Sequence, residues 1–319
     1  MKDAMSDSLL RLENVSKTFH VSGATHVTAL NDISVDLGGD RVVALLGKNG
    51  SGKTTFIKCC CNLLTYKGNI FYDNNRLRSN KNTLNRYYAA VLEGNRNLYW
   101  KLTVQENIQY FSSLRGMSGK SVLPYAEELL HMLYMYDRKD VLVEKLSRGM
   151  QQKTALICAM VLKVPVLFLD EPTLGLDIES KNQMVEFFNK RDLFSGRLIF
   201  ITSHNLEFVS RVVDEVMIIK DGQILDRFDI DNIRGDTGLI RIVVGGAHST
   251  DAFAADTGID VVSEKLEGDS RCFVIDPRTL ALSEVVSIAE RHDLDIRQIK
   301  TLSYDLETVY TLAQNDMRR

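Results

Sequence analysis

The sequence predicts an α/β fold in which a mainly parallel sheet is covered by helices on both faces. The prediction rests on three short apolar runs, which are residues 42–46, 166–169 and 198–201. Segments with helical spacing separate these runs, and each run ends in glycine-rich or charged residues, a pattern typical of buried parallel strands. Ligands of such sheets bind at the carboxyl ends of the strands, so functional residues are expected there.

Antiparallel strands are expected on either side of this parallel core. Residues 10–15 and 29–37 read as strands, with residues 16–20 between them. Residues 216–219 precede Asp221 and Gly222, a dipeptide that favours a tight hairpin turn. The sheet is therefore expected to include parallel and antiparallel strands.

Size and composition are those of an ordinary globular protein with two domains, or with one large domain and an appendage. The chain has 319 residues, of which 45% are hydrophobic and 25% charged, and a net charge of -3. No run of Lys and Arg gives the footprint of a nucleic-acid-binding protein, so no nucleic acid is expected as a partner. No apolar run approaches the ~18 residues of a membrane span, and residues 1–10 lack the apolar core of a signal peptide. The chain by itself is expected to be soluble.

The five cysteines indicate buried, reduced thiols and no metal site. Cys59, Cys60 and Cys61 are consecutive on a predicted helix, so their side chains point in three directions and cannot ligate one ion. Cys158 and Cys272 stand alone. This usage is typical of a cytosolic protein.

The most informative stretch follows the first apolar run and precedes residues 55–64, which can be helical. It reads Gly47-Lys48-Asn49-Gly50-Ser51-Gly52-Lys53-Thr54, the G-x-x-x-x-G-K-S/T pattern of a phosphate-binding loop. Glycines let backbone N–H groups converge on a polyphosphate, and the following helix adds the positive end of its dipole. Lys53 is expected to bind the β- and γ-phosphates, and the Thr54 hydroxyl to ligate Mg²⁺. The predicted nucleotide contacts here are Gly47, Asn49, Gly50, Ser51, Gly52, Lys53, Thr54 and Thr55.

Two carboxylates, Asp170 and Glu171, follow residues 166–169. Asp170 is placed to hold Mg²⁺ directly or through water, and Glu171 to polarise the water that attacks the γ-phosphate. His204 follows the next apolar run and is expected to contact the γ-phosphate. Taken alone, each residue is compatible with a solvated strand end or an ordinary histidine. Together with the phosphate loop, Glu171, His204 and Lys53 are the predicted catalytic residues.

A further stretch indicates the family. It reads Leu146-Ser147-Arg148-Gly149-Met150-Gln151-Gln152-Lys153, which resembles the L-S-G-G-Q signature of ABC-type ATPases and precedes the Asp170 strand as in that family. The resemblance covers about residues 8–228. It implies a P-loop NTPase fold of the ABC type, ATP hydrolysis, and ATP and Mg²⁺ as the bound species.

The resemblance also implies roles for residues outside the phosphate loop. Phe19 matches the aromatic residue that stacks on adenine, and Asp177 matches the loop that communicates across a dimer. His204 matches the switch histidine. In the family two ATPase domains face each other head to tail, so Ser147 and Gly149 of one copy are expected to clasp the γ-phosphate held by the other.

Three departures from the family pattern are visible. The signature has Arg148 and Met150 where the family has Gly and Gln, which resembles ATPases of the drug- and polysaccharide-exporting branch. Glu93 stands where the family has a Gln that contacts Mg²⁺ and the membrane partner, and it completes the predicted metal ligands with Thr54 and Asp170. Ile178 replaces a common Pro. No predicted catalytic residue is affected.

Two domains are predicted. Residues 1–230 are assigned to the ATPase domain, with an inserted helical subdomain at about 95–150 that begins with a capping box, Thr103 and Glu106. Residues 231–319 are assigned to a small α+β accessory domain of βαββαβ type. Its predicted strands are residues 239–244, 261–266, 272–275 and 295–299, with a helix that starts at Asp276 and Pro277.

The function expected from the resemblance is the ATP-hydrolysing subunit of an exporter, at the cytoplasmic face of the membrane. Its expected partners are a separate integral membrane permease and a second ATPase subunit. Residues 303–310 support export, because they resemble a D-L-E-x-V-F tail common in exporter ATPases. The alternatives are a soluble ABC ATPase that acts on nucleic acid or ribosomes, and an importer ATPase with a C-terminal regulatory domain.

Residues 97–100 hold the only Trp and predict either a satellite core or a dock for the permease.

Overall fold

The computed structural model describes residues 8–20, 26–76, 86–94, 97–233, 236–245, 270–275 and 282–303, together with positions 306, 309 and 310. The chain divides into two compact units, Met1–Phe228 and Asp229–Arg319. Among the described residues, no helix is long and apolar enough to cross a membrane.

The first unit alternates strands and helices. Its strands are β1 (Ser8–His20), β2 (His26–Gly38), β3 (Arg41–Leu46), β4 (Lys67–Tyr72), β5 (Asn75–Arg76), β6 (Tyr88–Val91), β7 (Val166–Asp170), β8 (Leu198–Ser203), β9 (Glu215–Lys220) and β10 (Gln223–Asp229). Its α-helices are α1 (Lys53–Cys60), α2 (Val104–Leu114), α3 (Leu123–Met132), α4 (Arg148–Met160), α5 (Ile178–Phe188) and α6 (Leu206–Val212). Short 3₁₀ helices cover Tyr136–Arg138, Val143–Lys145 and Arg191–Phe194.

A six-stranded sheet of order β10-β9-β3-β8-β7-β6 forms the centre of the first unit. β3 pairs in parallel with β8 and β9, and β7 pairs in parallel with β6 and β8. The three apolar runs of the sequence are therefore neighbouring strands, which confirms the predicted α/β fold. Every residue of β7 and β8 is buried, because helices cover both faces of a parallel sheet.

A second, antiparallel sheet has the order β2-β1-β4-β5. β1 and β2 are longer than predicted, because their pairing runs from Ser8 opposite Gly38 to His20 opposite His26. Residues 16–20 were expected between the two strands, and this expectation was wrong: they belong to β1. Register shifts along the ladder disturb the alternation of apolar and polar residues by which a sequence reveals a strand.

The middle of the first unit is helical, as predicted. The capping box at the start of α2 is confirmed, since the Glu106 N–H donates to Thr103 Oγ1 at 3.1 Å and the Thr103 N–H donates to Glu106 Oε2 at 2.8 Å. Pro124 lies in the first turn of α3, where its missing N–H has no cost.

The hydrophobic core of the first unit joins the two sheets through α1. Phe56 of α1 stacks on Phe200 of β8 with ring centroids 5.0 Å apart. Cys59, Cys60 and Cys61 are buried free thiols of the same core, and burial raises the pKa of Cys59 to about 11. These thiols stay protonated at neutral pH, and their burial agrees with the predicted buried, reduced thiols.

The second unit contains a three-stranded antiparallel sheet of order β12-β11-β13, formed by β11 (Asp236–Gly245), β12 (Ser270–Ile275) and β13 (Asp295–Ser303). Helix α7 (Leu282–Arg291) precedes β13, and a 3₁₀ turn covers Ile230–Ile233. Three of the four predicted strands are thus present. The predicted strand at 261–266 and the predicted helix start at Asp276 and Pro277 lie outside the described residues.

A buried carboxylate joins four strands of the first unit. Glu215 of β9 is 2% exposed, and its Oε2 accepts bonds from Arg41 at 2.9 Å and from Arg227 at 3.1 Å. Arg227 also bonds the other carboxylate oxygen and donates to the Asp36 carbonyl of β2 at 2.9 Å. Loss of the Glu215 charge therefore leaves two guanidinium groups without their shared acceptor.

Glu215→Gln is expected to lower the free energy of unfolding by about 1–3 kcal/mol, because an amide replaces a shared anionic acceptor. Glu207→Gln is the matched control, since Glu207 is exposed and 3.8 Å from Arg211. Its loss should change the stability by less than about 0.5 kcal/mol. Denaturant unfolding of both variants measures the difference, and equal stabilities contradict the role given to Glu215.

Candidate functional site

The phosphate loop connects β3 to α1 and has two glycines, Gly47 and Gly52, where there is no room for a side chain. A Cβ on Gly47 would lie 2.4 Å from Ser51 Oγ and 2.5 Å from the Ile219 carbonyl oxygen. Gly52 has φ +113°, and a Cβ there would lie 2.4 Å from the Ala29 carbonyl oxygen. These positions therefore require glycine for close backbone packing as well as for backbone conformation.

The turn between β9 and β10 supports the loop from behind. The Gly222 N–H donates to the Ser51 carbonyl at 3.1 Å, and the Asn31 N–H of β2 donates to the Gly222 carbonyl at 2.8 Å. The loop is therefore fixed to both sheets before any ligand binds. Preorganisation of this kind keeps the N–H groups pointing at the phosphate position.

A cavity opens in front of the loop and the start of α1. Six of the residues predicted to bind nucleotide line it, with Ala29 and two carboxylates: Ala29, Asn49, Gly50, Gly52, Lys53, Thr54, Thr55, Glu93 and Glu171. Ser51 Oγ lies beside this cavity, buried and without a hydrogen-bond partner among the described residues. A buried hydroxyl without a partner needs one from a ligand, and a phosphate oxygen at the start of α1 fits that need.

Lys53 is the cation of the site. Its side chain is buried, and Nζ donates to the carbonyls of Gly47 at 2.7 Å and Lys48 at 3.2 Å. Burial lowers the pKa of Lys53, while the carboxylates of Glu171, Asp170 and Glu93 oppose that effect. The ammonium is thus held at the mouth of the loop by groups that favour its charged form.

Asp170 ends β7 with one carboxylate oxygen satisfied and the other not. The residue is 1% exposed, and Oδ1 accepts bonds from Thr202 Oγ1 at 2.5 Å and Thr54 Oγ1 at 3.3 Å. Asp170 Oδ2 is buried without a partner among the described residues. A buried anionic oxygen beside a threonine hydroxyl fits the hard oxygen ligands that Mg²⁺ prefers, and Glu93 lines the same cavity.

Glu171 follows Asp170 but turns its side chain elsewhere. Its backbone has φ +51°, a left-handed conformation that is uncommon for this residue type. The Glu171 N–H donates to both the carbonyl and the hydroxyl of Thr202, each at 3.1 Å. The carboxylate is 2.9 Å from His204 Nδ1, so the predicted base and the predicted switch histidine are in contact.

Four of the predicted nucleotide contacts lie outside the phosphate loop and do not line this cavity. Ser147 caps α4, where its hydroxyl accepts the Met150 N–H at 3.3 Å. Asp177 caps α5, and the Ser180 N–H that bonds its carboxylate lowers the pKa of Asp177. Gly149 is buried against α5, and Phe19 lies on β1 opposite Val27, with Lys17 Nζ 5.0 Å from its ring centroid. The described chain therefore brings these residues to other surfaces than the phosphate loop.

Thr202 is a functional residue that the sequence analysis missed. Its hydroxyl donates a hydrogen bond to the Asp170 carboxylate and accepts one from the Glu171 N–H, so it fixes the positions of both acids. The available signal was a polar residue just after the apolar run 198–201, at the carboxyl edge of a predicted parallel strand. The role of Thr202 can be recognised only when β7 and β8 are known to be neighbouring strands.

Comparisons with known proteins indicate the family of this chain. Residues 30–174 match the family model described as ABC transporter. The SkfA peptide export ATP-binding protein SkfE of Bacillus subtilis (strain 168) is 33% identical over 220 residues, which covers 68% of this chain and 87% of SkfE. The methionine import ATP-binding protein MetN of Histophilus somni (strain 129Pt) is 28% identical over 230 residues, covering 70% of this chain and 66% of MetN. A solved ATP-binding subunit of an ABC transporter gives a TM-score of 0.62 at 28% identity, covering 71% of this chain and 92% of that one.

The fold and the site together indicate the general class of protein. A phosphate loop between a buried parallel strand and a helix, with acidic residues at the end of a neighbouring strand, is the arrangement of a P-loop nucleotide-binding protein. The chain belongs to the ATP-binding proteins of the ABC transporter family, whose members are ATP-hydrolysing transport ATPases.

Asp170→Asn tests the metal position without changing the shape of the side chain. The amide oxygen can still accept from Thr202 and Thr54, but the anionic Oδ2 is lost. ATP affinity in EDTA should change by less than about twofold, while the gain in affinity on adding Mg²⁺ should fall at least about tenfold, because Mg²⁺ selects anionic oxygen. Titration with a fluorescent ATP analogue measures both values. Asp192→Asn, on an exposed turn, is the control that should keep the full gain, and a full gain in Asp170→Asn contradicts the assignment.

Proposed function

We propose that this ATPase binds ATP with Mg²⁺, pairs with a second ATPase subunit, and drives a separate integral membrane permease from the cytoplasmic face of the membrane. The observation that carries the proposal is the unpartnered buried Asp170 Oδ2 beside Glu171, at a strand end that adjoins the phosphate loop. Mg²⁺ held by Thr54, Asp170 and Glu93 supplies positive charge against the phosphates when bound.

Hydrolysis is assigned to three residues. Glu171 acts as the general base, because its carboxylate lies in the phosphate cavity and can accept a proton from the attacking water. His204 orients that carboxylate through the 2.9 Å contact. Lys53 stabilises negative charge on the transferred phosphoryl group.

The paired arrangement is supported by the start of α4. Ser147 is exposed there, and the first turn of α4 contains no acidic residue, so its free N–H groups and positive dipole end face outward. This end does not line the phosphate cavity of its own chain. In the proposed pair, Ser147, Gly149 and Asp177 meet the nucleotide bound by the other subunit, and Phe19 stacks on the adenine of its own.

Export is the proposed direction. Arg148 and Met150 in the signature resemble exporter ATPases, and the similarity to SkfE supports the same direction. The similarity to MetN favours the second candidate, an importer ATPase with a C-terminal regulatory domain. Reconstitution with the permease in vesicles, with the ATPase facing outward, separates them: an exporter moves labelled substrate into the vesicle, and an importer releases it.

The domain assignment follows the same proposal. Residues 1–230 form the ATPase domain with its helical subdomain at about 95–150, and residues 231–319 form the accessory domain. Two compact units that divide at Phe228 and Asp229 support this assignment.

A groove with aromatic character is the proposed dock for a cytoplasmic segment of the permease. This aromatic groove adjoins the metal position and is lined by Glu93, Gly94, Asn97, Leu98, Trp100, Arg148, Gln151, Gln152, Ala155, Asp170, Glu171 and Leu174. Trp100 is 44% exposed, which favours the dock over a satellite core. Partly exposed aromatic residues in grooves serve as anchors in protein interfaces, and Glu93 lines both this groove and the phosphate cavity.

Glu171→Gln is expected to reduce ATP turnover by about 10²–10⁴-fold, because an amide cannot take the proton from water. ATP binding should persist, so the variant should accumulate as an ATP-bound pair that size-exclusion chromatography detects. Glu127→Gln, which changes an exposed acid of α3, is the control for charge loss and should hydrolyse ATP at the normal rate. Wild-type turnover in Glu171→Gln excludes the base assignment.

Trp100→Ala is expected to reduce co-purification with the permease at least about tenfold, because a central aromatic anchor contributes more than ~1.4 kcal/mol in such interfaces. The basal ATPase rate of the isolated subunit should not change. Tyr134→Ala removes an exposed aromatic ring elsewhere in the helical subdomain and is the matched control. Unchanged co-purification of Trp100→Ala rules out the dock, and loss of folding of the isolated variant favours a core role instead.

A further inference from the structure

A buried lysine on α4 takes no part in the chemistry of hydrolysis. Lys153 is 4% exposed, and its ammonium donates a hydrogen bond to Gln183 Oε1 on α5. Burial lowers the pKa of Lys153, whereas the charges of Asp177 and Glu179 at the start of α5 raise it. A buried lysine is rare unless it is paired, so its place between two helices requires a reason.

The two helices begin side by side at this point. Gly149, in the first turn of α4, is buried so closely against α5 that a Cβ would lie 2.7 Å from Ser180 Oγ. Lys153 lies one turn further along α4, and Gln183 lies one turn further along α5. The two contacts therefore advance in the same direction, which places the two helix starts next to each other.

Each helix start carries a residue proposed to meet the second subunit. Ser147 caps α4, and Asp177 caps α5 by accepting the Ser180 N–H at 2.7 Å. Two adjacent helix N-termini repel each other through their dipoles, and Asp177 offsets that repulsion from within the pair. The negative charge of Asp177 also favours the charged form of Lys153, so the two charges attract each other across the helix pair.

Gln183 extends this link along α5. It accepts from the Lys153 ammonium, and its own amide donates to Glu179 Oε1 at 3.2 Å. Lys153 is thus connected by hydrogen bonds, through Gln183, to Glu179 in the first turn of α5. An apolar side chain in its place would fill the same space without making this connection.

We propose that Lys153 is a positioning residue that holds Ser147 and Asp177 in fixed register, so that both residues reach the second ATPase subunit together. The inference rests on the paired arrangement of the proposed function and deepens it. Lys153 touches no nucleotide in this arrangement. Its effect is exerted through the neighbouring helix starts.

A merely structural role makes a different prediction from a positioning role. Replacing a buried charge by an apolar side chain of similar volume is often neutral or stabilising. If Lys153 served only packing, Lys153→Met would keep both stability and function. If Lys153 positions the helix starts, Lys153→Met keeps stability but loses the communication between the two nucleotide sites.

The experiment compares Lys153→Met with Lys153→Arg, which retains the charge. Lys153→Met should lower kcat about tenfold and bring the Hill coefficient for ATP towards one. In the Glu171→Gln background it should weaken ATP-driven pairing about tenfold. Tenfold effects are a typical size for coupling between sites. Nucleotide affinity of the separated subunit should stay within about twofold, because the phosphate cavity is unchanged. Lys153→Arg should restore all three quantities to within about threefold.

Thr154→Val is the matched control, because Thr154 is equally buried on α4 but its hydroxyl bonds only within that helix, to Met150 at 2.8 Å. It should leave kcat, the Hill coefficient and pairing unchanged. A folded Lys153→Met protein with all three quantities within about twofold of the wild type overturns the inference. If Lys153→Met does not fold, Gln183→Met on the partly exposed rim removes the same link and should show the same losses.

A second measurement keeps this inference separate from the proposed function. If the Glu171→Gln chain with an intact Lys153 fails to pair in ATP, the proposed pairing is wrong. Amide hydrogen exchange in the single subunit then still tests Lys153: Lys153→Met should speed exchange at the Ser180 N–H about tenfold, since the Asp177 cap is released, and Thr154→Val should not. Unchanged exchange at Ser180 in Lys153→Met contradicts the positioning role directly.

Discussion

The parallel pairing of β7 with β8 and of β8 with β3 is the constraint on which the site depends. Asp170 lies opposite Thr202, and Leu46 lies opposite Ser203, so the three strands end at the same level. The phosphate loop, the acids and the histidine therefore emerge along one edge of the sheet. A shift of one residue in the pairing of β7 with β8 would turn Asp170 to the other face and remove the Thr202 hydroxyl from its carboxylate.

Residues that belong to contiguous motifs could be predicted as site candidates from the sequence alone. Glycine spacing predicts the phosphate loop, and Asp170 with Glu171 follows an apolar run that any parallel sheet would bury. Thr202 could not be predicted, because its role depends on which strands are neighbours. The same limit applies to the unpartnered Ser51 hydroxyl, because its burial close to Gly47 becomes visible only in the structure.

Gly149 shows how one motif residue can serve two purposes. The family resemblance implies that it contacts the nucleotide of a second subunit. Its position against Ser180 gives a second reason for glycine, which is the close approach of α4 and α5. A sequence motif gives only the residue type at this position. The structure adds that a larger side chain would push apart the helix starts that carry Ser147 and Asp177.

Lys53 and Lys153 are both buried, but their charged groups have partners in different places. Lys53 faces its own loop carbonyls and the acids of the phosphate cavity, so its site is assembled within one chain. Lys153 faces α5, and the helix starts that it joins lie away from that cavity. The first turn of α4 after Ser147 contains no acidic residue, and Ser147 does not line its own phosphate cavity. An arrangement in which one chain supplies the cavity and another supplies the helix start satisfies both charges at once, because each bound nucleotide then brings the anion that the other subunit lacks.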